Sequence, residues 1–148
     1  MPCRMPFWDE ALAAPGPGAQ EVHMCKLFIN ADPELWQTRL RSVRMEGFST
    51  SIRLENLYWR VLEELAARDR MSLTQLLSKL HAELLEAHGK VENFSSFLRV
   101  CCGRYLMLQL AGDIPTDLAL PIRGLDAERI LAREARRMAP RSPLSSVA

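Results

Sequence analysis

Ser49, Ser51 and Arg53 stand at alternate positions of the segment Phe48-Ser49-Thr50-Ser51-Ile52-Arg53-Leu54. Successive side chains of a β-strand point to opposite sides, so these three share one face, and Phe48, Thr50, Ile52 and Leu54 share the other. The second face can be buried. The first carries two hydroxyls, which both donate and accept, and a guanidinium with a fork of donors, a set suited to recognising polar groups on a partner. Between positions 39 and 53, Arg39, Arg41, Arg44 and Arg53 stand against Glu46, a local charge of 4 − 1 = +3 in a chain whose formal net charge is +1. Such a stretch is either a solvated basic surface or a polyanion site, and the polar strand beside it brings the second into play.

Other chemistries find little support. His23, His81 and His88 are scattered, no Ser/His/Asp or Cys/His order has useful local context, and there is no glycine-rich phosphate loop, so the chain does not read as an enzyme. Cys3, Cys25, Cys101 and Cys102 have no recognised zinc spacing, and no metal or other cofactor is expected. Cys101 and Cys102 fall within a helical pattern as small hydrophobes. Without a signal-peptide layout or an apolar run of about 18 residues, the chain reads as cytoplasmic with no membrane partner. Apolar residues at 48% and charged residues at 25% are ordinary globular values, and 148 residues suit one compact domain with appendages.

The elements that must position the polar strand follow from periodicity and caps. Residues 1–22 are rich in proline and glycine and read as a flexible leader, with Met5 and Met24 as alternative starts. Met24-Cys25-Lys26-Leu27-Phe28-Ile29 reads as a short strand, and Asp32-Pro33 starts a brief helix to about Arg39. From Arg41 to Glu46 the chain alternates again, with Val43 and Met45 on one side and Ser42, Arg44 and Glu46 on the other. Gly47 then makes a bulge, kink or turn. A helix over about Glu55–Arg68 carries Tyr58, Trp59, Leu62, Leu65 and Ala66 at helical spacing. Ser72 and Gln75 form a capping box before the stripe Leu73, Leu76, Leu77, Leu80, Leu84 and Leu85, which ends at Gly89. Asn93 caps a third helix to about Leu110, apolar over much of its circumference and expected to pack inside the assembly. The chain then turns loose around Pro115 and Pro121. A last helix starts at Asp126, with Ile130, Leu131 and Met138 opposite Arg129, Arg133, Arg136 and Arg137, and the end from Pro140 reads as disordered. The expected division is a leader over 1–22, a domain over 23–112 and a partly helical extension over 113–148.

The order strand, helix, tight turn, capped helix resembles the ribbon-helix-helix family, which includes the Arc and MetJ repressors. The residues carrying the resemblance are Thr50-Ser51-Ile52-Arg53-Leu54, the helix with Trp59, Leu62 and Leu65, and the junction Met71-Ser72-Leu73-Thr74-Gln75-Leu76-Leu77. A further likeness, to small stand-alone bacterial proteins of this type, runs from Met24-Cys25-Lys26-Leu27-Phe28 to Asn93-Phe94-Ser95-Ser96-Phe97-Leu98-Arg99-Val100. The resemblance implies a mainly α fold with a short β ribbon: a homodimer in which one strand per subunit pairs antiparallel, with additional C-terminal helices. The ribbon would enter the major groove of double-stranded DNA, and the protein would regulate transcription as a repressor. Ser49, Ser51 and Arg53 would then contact bases, with Arg53 donating two hydrogen bonds to guanine O6 and N7. Ser72 and the first amides of its helix, Leu73 included, would hold a phosphate, and Arg39, Arg41 and Arg44 would add attraction to the DNA backbone. One departure is Arg70, which stands where the family's turn usually has glycine or asparagine; a left-handed residue there costs about 1–2 kcal/mol.

Two alternatives stay open. The C-terminal extension could hold a partner protein, as in antitoxin-like members of the class, or support an oligomer larger than a dimer. Alternatively, Arg41–Glu46 and Phe48–Leu54 could pair within one chain around Gly47, an arrangement expected to block the intersubunit ribbon and with it the DNA-reading model.

Overall fold

The computed structural model describes residues 24–140, so the leader expected over 1–22 and the chain end beyond Pro140 lie outside the described residues. The described residues divide into two units, 24–32 and 33–140. In the first, Met24–Ile29 is a helix, α1, and not the short strand expected. A strand needs a neighbour for its backbone groups, whereas a helical turn closes its own, as in the bond from the Asn30 amide to the Lys26 carbonyl.

The second unit is mainly helical around one two-stranded antiparallel sheet. A 3₁₀ turn, Pro33–Trp36, ends sooner than the helix expected there, because the chain is extended from Thr38 onward. Strand β1, Thr38–Met45, pairs along its whole length with β2, Phe48–Glu55. Glu46 and Gly47 link them, both with positive φ (50° and 84°), as a type I′ hairpin turn requires. Of the partners open to the polar strand, the upstream segment is therefore the one it takes within the chain; the sheet has two strands, so the second edge of β2 carries no strand among the described residues and the hairpin leaves pairing with a second subunit open. The physical reason is the short connection: a two-residue loop costs little closure entropy. At the open end, the Asn56 amide bonds the Gln37 carbonyl (2.9 Å) and its side chain the Glu34 carbonyl (3.0 Å), fixing the hairpin to the helix that follows.

Helices α2 (Asn56–Arg68), α3 (Leu73–His88) and α4 (Phe94–Leu110) pack under the hairpin. The core joins Val43, Met45, Ile52 and Leu54 from the sheet to Trp59, Leu62, Leu77, Leu98 and Cys102 from the helices. The capping box at Ser72 and the Gly89 terminator form as expected, as does the Asn93 cap, whose side chain accepts from the Ser96 amide. In the single chain α4 buries Leu98, Cys102, Tyr105 and Leu108, and Val100, Met107 and Leu110 on its other side are exposed. α2 ends in a Schellman motif, with the Met71 amide bonded to the Ala66 carbonyl and the Arg70 amide to that of Ala67. Arg70 has φ 55°, so an arginine does hold the left-handed position. Arg70→Gly is expected to raise stability by about 0.5–1 kcal/mol, the relief of left-handed strain less glycine's greater freedom in the unfolded chain. Urea unfolding with an unchanged m-value measures it.

The segment from Asp113 to Asp126 is pinned and not loose. Arg68, only 4% exposed, donates from Nε to the Leu120 carbonyl (3.0 Å) and from Nη2 to the Asp117 carbonyl (3.1 Å). Its neighbour Asp69 accepts through Oδ1 from the Ile122 and Arg123 amides. Helix α5, Ala127–Met138, is capped by Asp126 as predicted. It is tied to α4 by the Arg104–Glu134 pair, while Arg133 and Arg137 converge on Asp113.

Candidate nucleic-acid interface

Residues directly opposite in an antiparallel pair point to the same side. The register pairs Arg44 with Ser49, Ser42 with Ser51 and Leu40 with Arg53, so these six side chains share the outer face of the hairpin, and all are exposed. The same register pairs Arg39 with Leu54 and Arg41 with Ile52, which puts both arginines on the inner side. The structure thus brings Ser49, Ser51, Arg53 and Arg44 together and sets Arg39 and Arg41 apart from them. Arg41 is engaged there: its Nη1 donates to Glu63 Oε1 (2.7 Å), and its guanidinium lies 4.8 Å from the Trp59 ring centroid. Parity held the signal, since Arg39 and Arg41 are an even number of residues from Val43.

The hairpin's backbone is held firmly beneath this face. Trp59 Nε1 donates to the Arg39 carbonyl (3.0 Å), and Ser78 Oγ to the Arg44 carbonyl (3.3 Å). Near the turn, His81 Nδ1 approaches Glu46 Oε1 at 3.8 Å. Glu55, two residues from Arg53, would oppose an anionic ligand, but Arg99 donates to both its carboxylate oxygens (2.8 and 3.2 Å). That bonding holds the Glu55 carboxyl below its ordinary range and offsets its charge.

At the start of α3, Ser72 is committed to its cap: its Oγ accepts from the Gln75 amide (3.2 Å) and its own amide donates to Gln75 Oε1 (2.8 Å). The Leu73 and Thr74 amides are then the remaining unpaired donors of that first turn by helix geometry. Glu64 accepts a hydrogen bond from the Tyr105 hydroxyl. Cys102 is buried beside α2 and its thiol is pushed up to about 12 by burial, so it is protonated at neutral pH. Among the described residues no three His, Cys, Asp or Glu side chains are grouped to hold a metal ion, and no helix is long and apolar enough to cross a membrane.

A hairpin on a helical base, with a basic and hydroxyl-bearing outer face, is a surface that can present several hydrogen-bonding groups along one line. The comparisons agree with the fold that carries it. No curated protein matches the chain. A solved structure of an uncharacterized protein from Bordetella pertussis Tohama I is similar, with 47% sequence identity and a TM-score of 0.74; the match covers 82% of this chain and 97% of that one. The profile of the ribbon-helix-helix domain matches residues 38–106, from the first residue of the hairpin into α4. By this match, and by the sheet and helices that underlie it, the chain belongs to the ribbon-helix-helix family.

Proposed function

We propose that the protein is a sequence-specific regulator of transcription that binds double-stranded DNA through the outer face of the hairpin and acts as a repressor. The observation carrying this reading is the exposed row of Arg44, Ser49, Ser51 and Arg53 on a two-stranded ribbon. The major groove admits a ribbon of two strands, and side chains on its outer face then reach base edges. Ser49 and Ser51 bond donor or acceptor edges, and Arg53 pairs with guanine. The Leu73 amide at the start of α3, with Ser72 shaping that turn, is the proposed phosphate contact. Arg39 and Arg41 contribute longer-range attraction only, since they face the other side of the sheet.

The ribbon-helix-helix family typically dimerises, and a homodimer is the proposed functional form. With β1 paired to β2 in each chain, the proposed dimer carries two hairpins. Phe48, 77% exposed on the hairpin's inner side opposite buried Met45, is the group the second subunit is proposed to cover.

Fluorescence anisotropy over a salt series, with the protein's own upstream region against a scrambled duplex, tests the reading. Arg53→Ala is expected to cost about 1–3 kcal/mol in discrimination between the two duplexes. Affinity for both should fall steeply as salt rises. Absence of binding at low salt would remove the DNA role. It would favour a second reading, an antitoxin-like interaction module, for which the supporting observation is the groove between α4 and α5 with Val100, Met107, Leu131 and Met138 exposed along it.

A further inference from the structure

The segment from Asp113 to Asp126 and the three helices it returns to line a cleft of about 330 Å³. Its walls include Leu65 of α2, Leu80 of α3, Leu108 of α4, and Ile114 and Ile122 of the segment itself. None of the lining residues belongs to β1 or β2, so the cleft is distinct from the hairpin's outer face. Ligand sites occupy about 300–1,000 Å³ and combine an apolar lining with a few placed polar groups, and this volume suits a small ligand.

Apolar side chains ordinarily pack together and leave few voids of this size. Here polar anchors hold the walls in place. Asp69 accepts through Oδ1 from the Ile122 and Arg123 amides (2.8 and 3.2 Å), and Arg68 holds the Asp117 and Leu120 carbonyls. At the other end the Asp113 and Ile114 amides bond the Leu108 carbonyl (2.9 and 3.2 Å), while Arg133 and Arg137 meet the Asp113 carboxylate. Both isoleucines are thus fixed through their backbone, and their side chains line the cleft. Its mouth carries charge, since Arg123, Lys79 and Glu83 line it and are exposed. Lys79 has Glu83 at 3.9 Å, and Arg104 is bonded to Glu134. No carboxylate lies within ion-pair distance of Arg123 among the described residues, which leaves its charge and its fork of donors uncommitted there.

We infer that this cleft binds a small amphipathic carboxylate, its apolar chain seated among Leu65, Leu80, Ile114 and Ile122 and its carboxylate on the Arg123 guanidinium. The lining selects a chain without polar groups, because a polar atom left unpaired there loses its hydration. A guanidinium donates two parallel hydrogen bonds to a carboxylate, and one uncommitted cation matches one anionic charge. A cationic ligand of the same shape meets like charge at the mouth and is rejected. The site stands apart from the DNA-reading role and does not rest on it.

Methyl NMR of the full chain titrated with decanoate tests the site, with decyltrimethylammonium as a probe of equal alkyl length and opposite charge. Decanoate should shift the Leu80, Ile114 and Ile122 methyl signals saturably, and the ammonium should bind at least about tenfold more weakly. Arg123→Gln, at an exposed position, should weaken decanoate by about 3- to 10-fold, the range for one lost hydrogen-bonded contact. Arg123→Lys keeps the charge without the planar fork and should fall between the two. No saturable shift at these methyls, or an equal response to both probes, overturns the inference. Shifts that follow protein concentration and not decanoate assign the cleft to a second copy of the chain and overturn it as well. So does an Arg123→Gln variant that binds decanoate as the wild type does. Each of these outcomes leaves the DNA-reading role standing, because no DNA enters the experiment.

Discussion

Trp59→Ala is expected to destabilise the protein by about 3–5 kcal/mol, the cost of removing a fully packed aromatic from a core. Trp59 is 1% exposed and sits where three elements meet. Its ring packs in the cluster with Ile52, Leu54 and Leu62, its Nε1 donates to the β1 backbone at Arg39, and its face receives the Arg41 guanidinium. The substitution therefore opens a cavity and releases the hairpin at the same time. Calorimetry should show a fall in melting temperature on the order of 10 °C for a chain of this length. Trp59→Phe retains most of the packing and loses the indole donor, so a loss nearer 1 kcal/mol is expected. A small effect of the alanine variant would mean that the hairpin is not seated on α2 through this residue.

Arg68→Ala is expected to cost about 3–5 kcal/mol, the range for breaking a buried charged network by removing one member. The guanidinium donates to the Asp117 and Leu120 carbonyls and to the Tyr105 hydroxyl, and lies over the Tyr105 ring. Tyr105 in turn donates to Glu64, so the hydroxyl relays between the buried cation and the carboxylate that balances it. That carboxylate and burial together raise the Tyr105 phenol above its ordinary range, with burial the larger cause. Without Arg68 the Asp117–Leu120 turn loses its clamp and Glu64 loses its counter-charge. Amide hydrogen exchange should therefore accelerate over residues 117–123 well before the rest of the chain unfolds, a pattern that a general loss of stability would not produce. Arg68→Met, which keeps the apolar stem, should recover part of the packing and none of the clamp.

What local chemistry dictates was legible in the residues alone. The spacing of Trp59, Leu62 and Ala66, the Ser72–Gln75 box, Gly89 and the Asn93 and Asp126 caps place α2 to α5 within a residue or two of where they lie, because each signal acts over one or two helical turns. Alternation likewise separates Ser49, Ser51 and Arg53 from Ile52 and Leu54. The left-handed Arg70 was legible through the family resemblance, whose turn usually has glycine or asparagine at that place.

Only the tertiary structure decided which strand β2 pairs with, since both its copy and β1 satisfy the same backbone groups and Glu-Gly is a weaker turn signal than Asn-Gly. It also decided which arginines face outward together, because that depends on register across two strands and not on charge density. Arg68 is the extreme case: a charged residue in the last turn of a helix reads as solvated. Its burial follows from a loop that comes back onto it from about fifty positions away in the chain. Sequence determines the elements through contacts a few residues apart. The clamp, the ribbon and the shared arginine face exist only where distant segments meet.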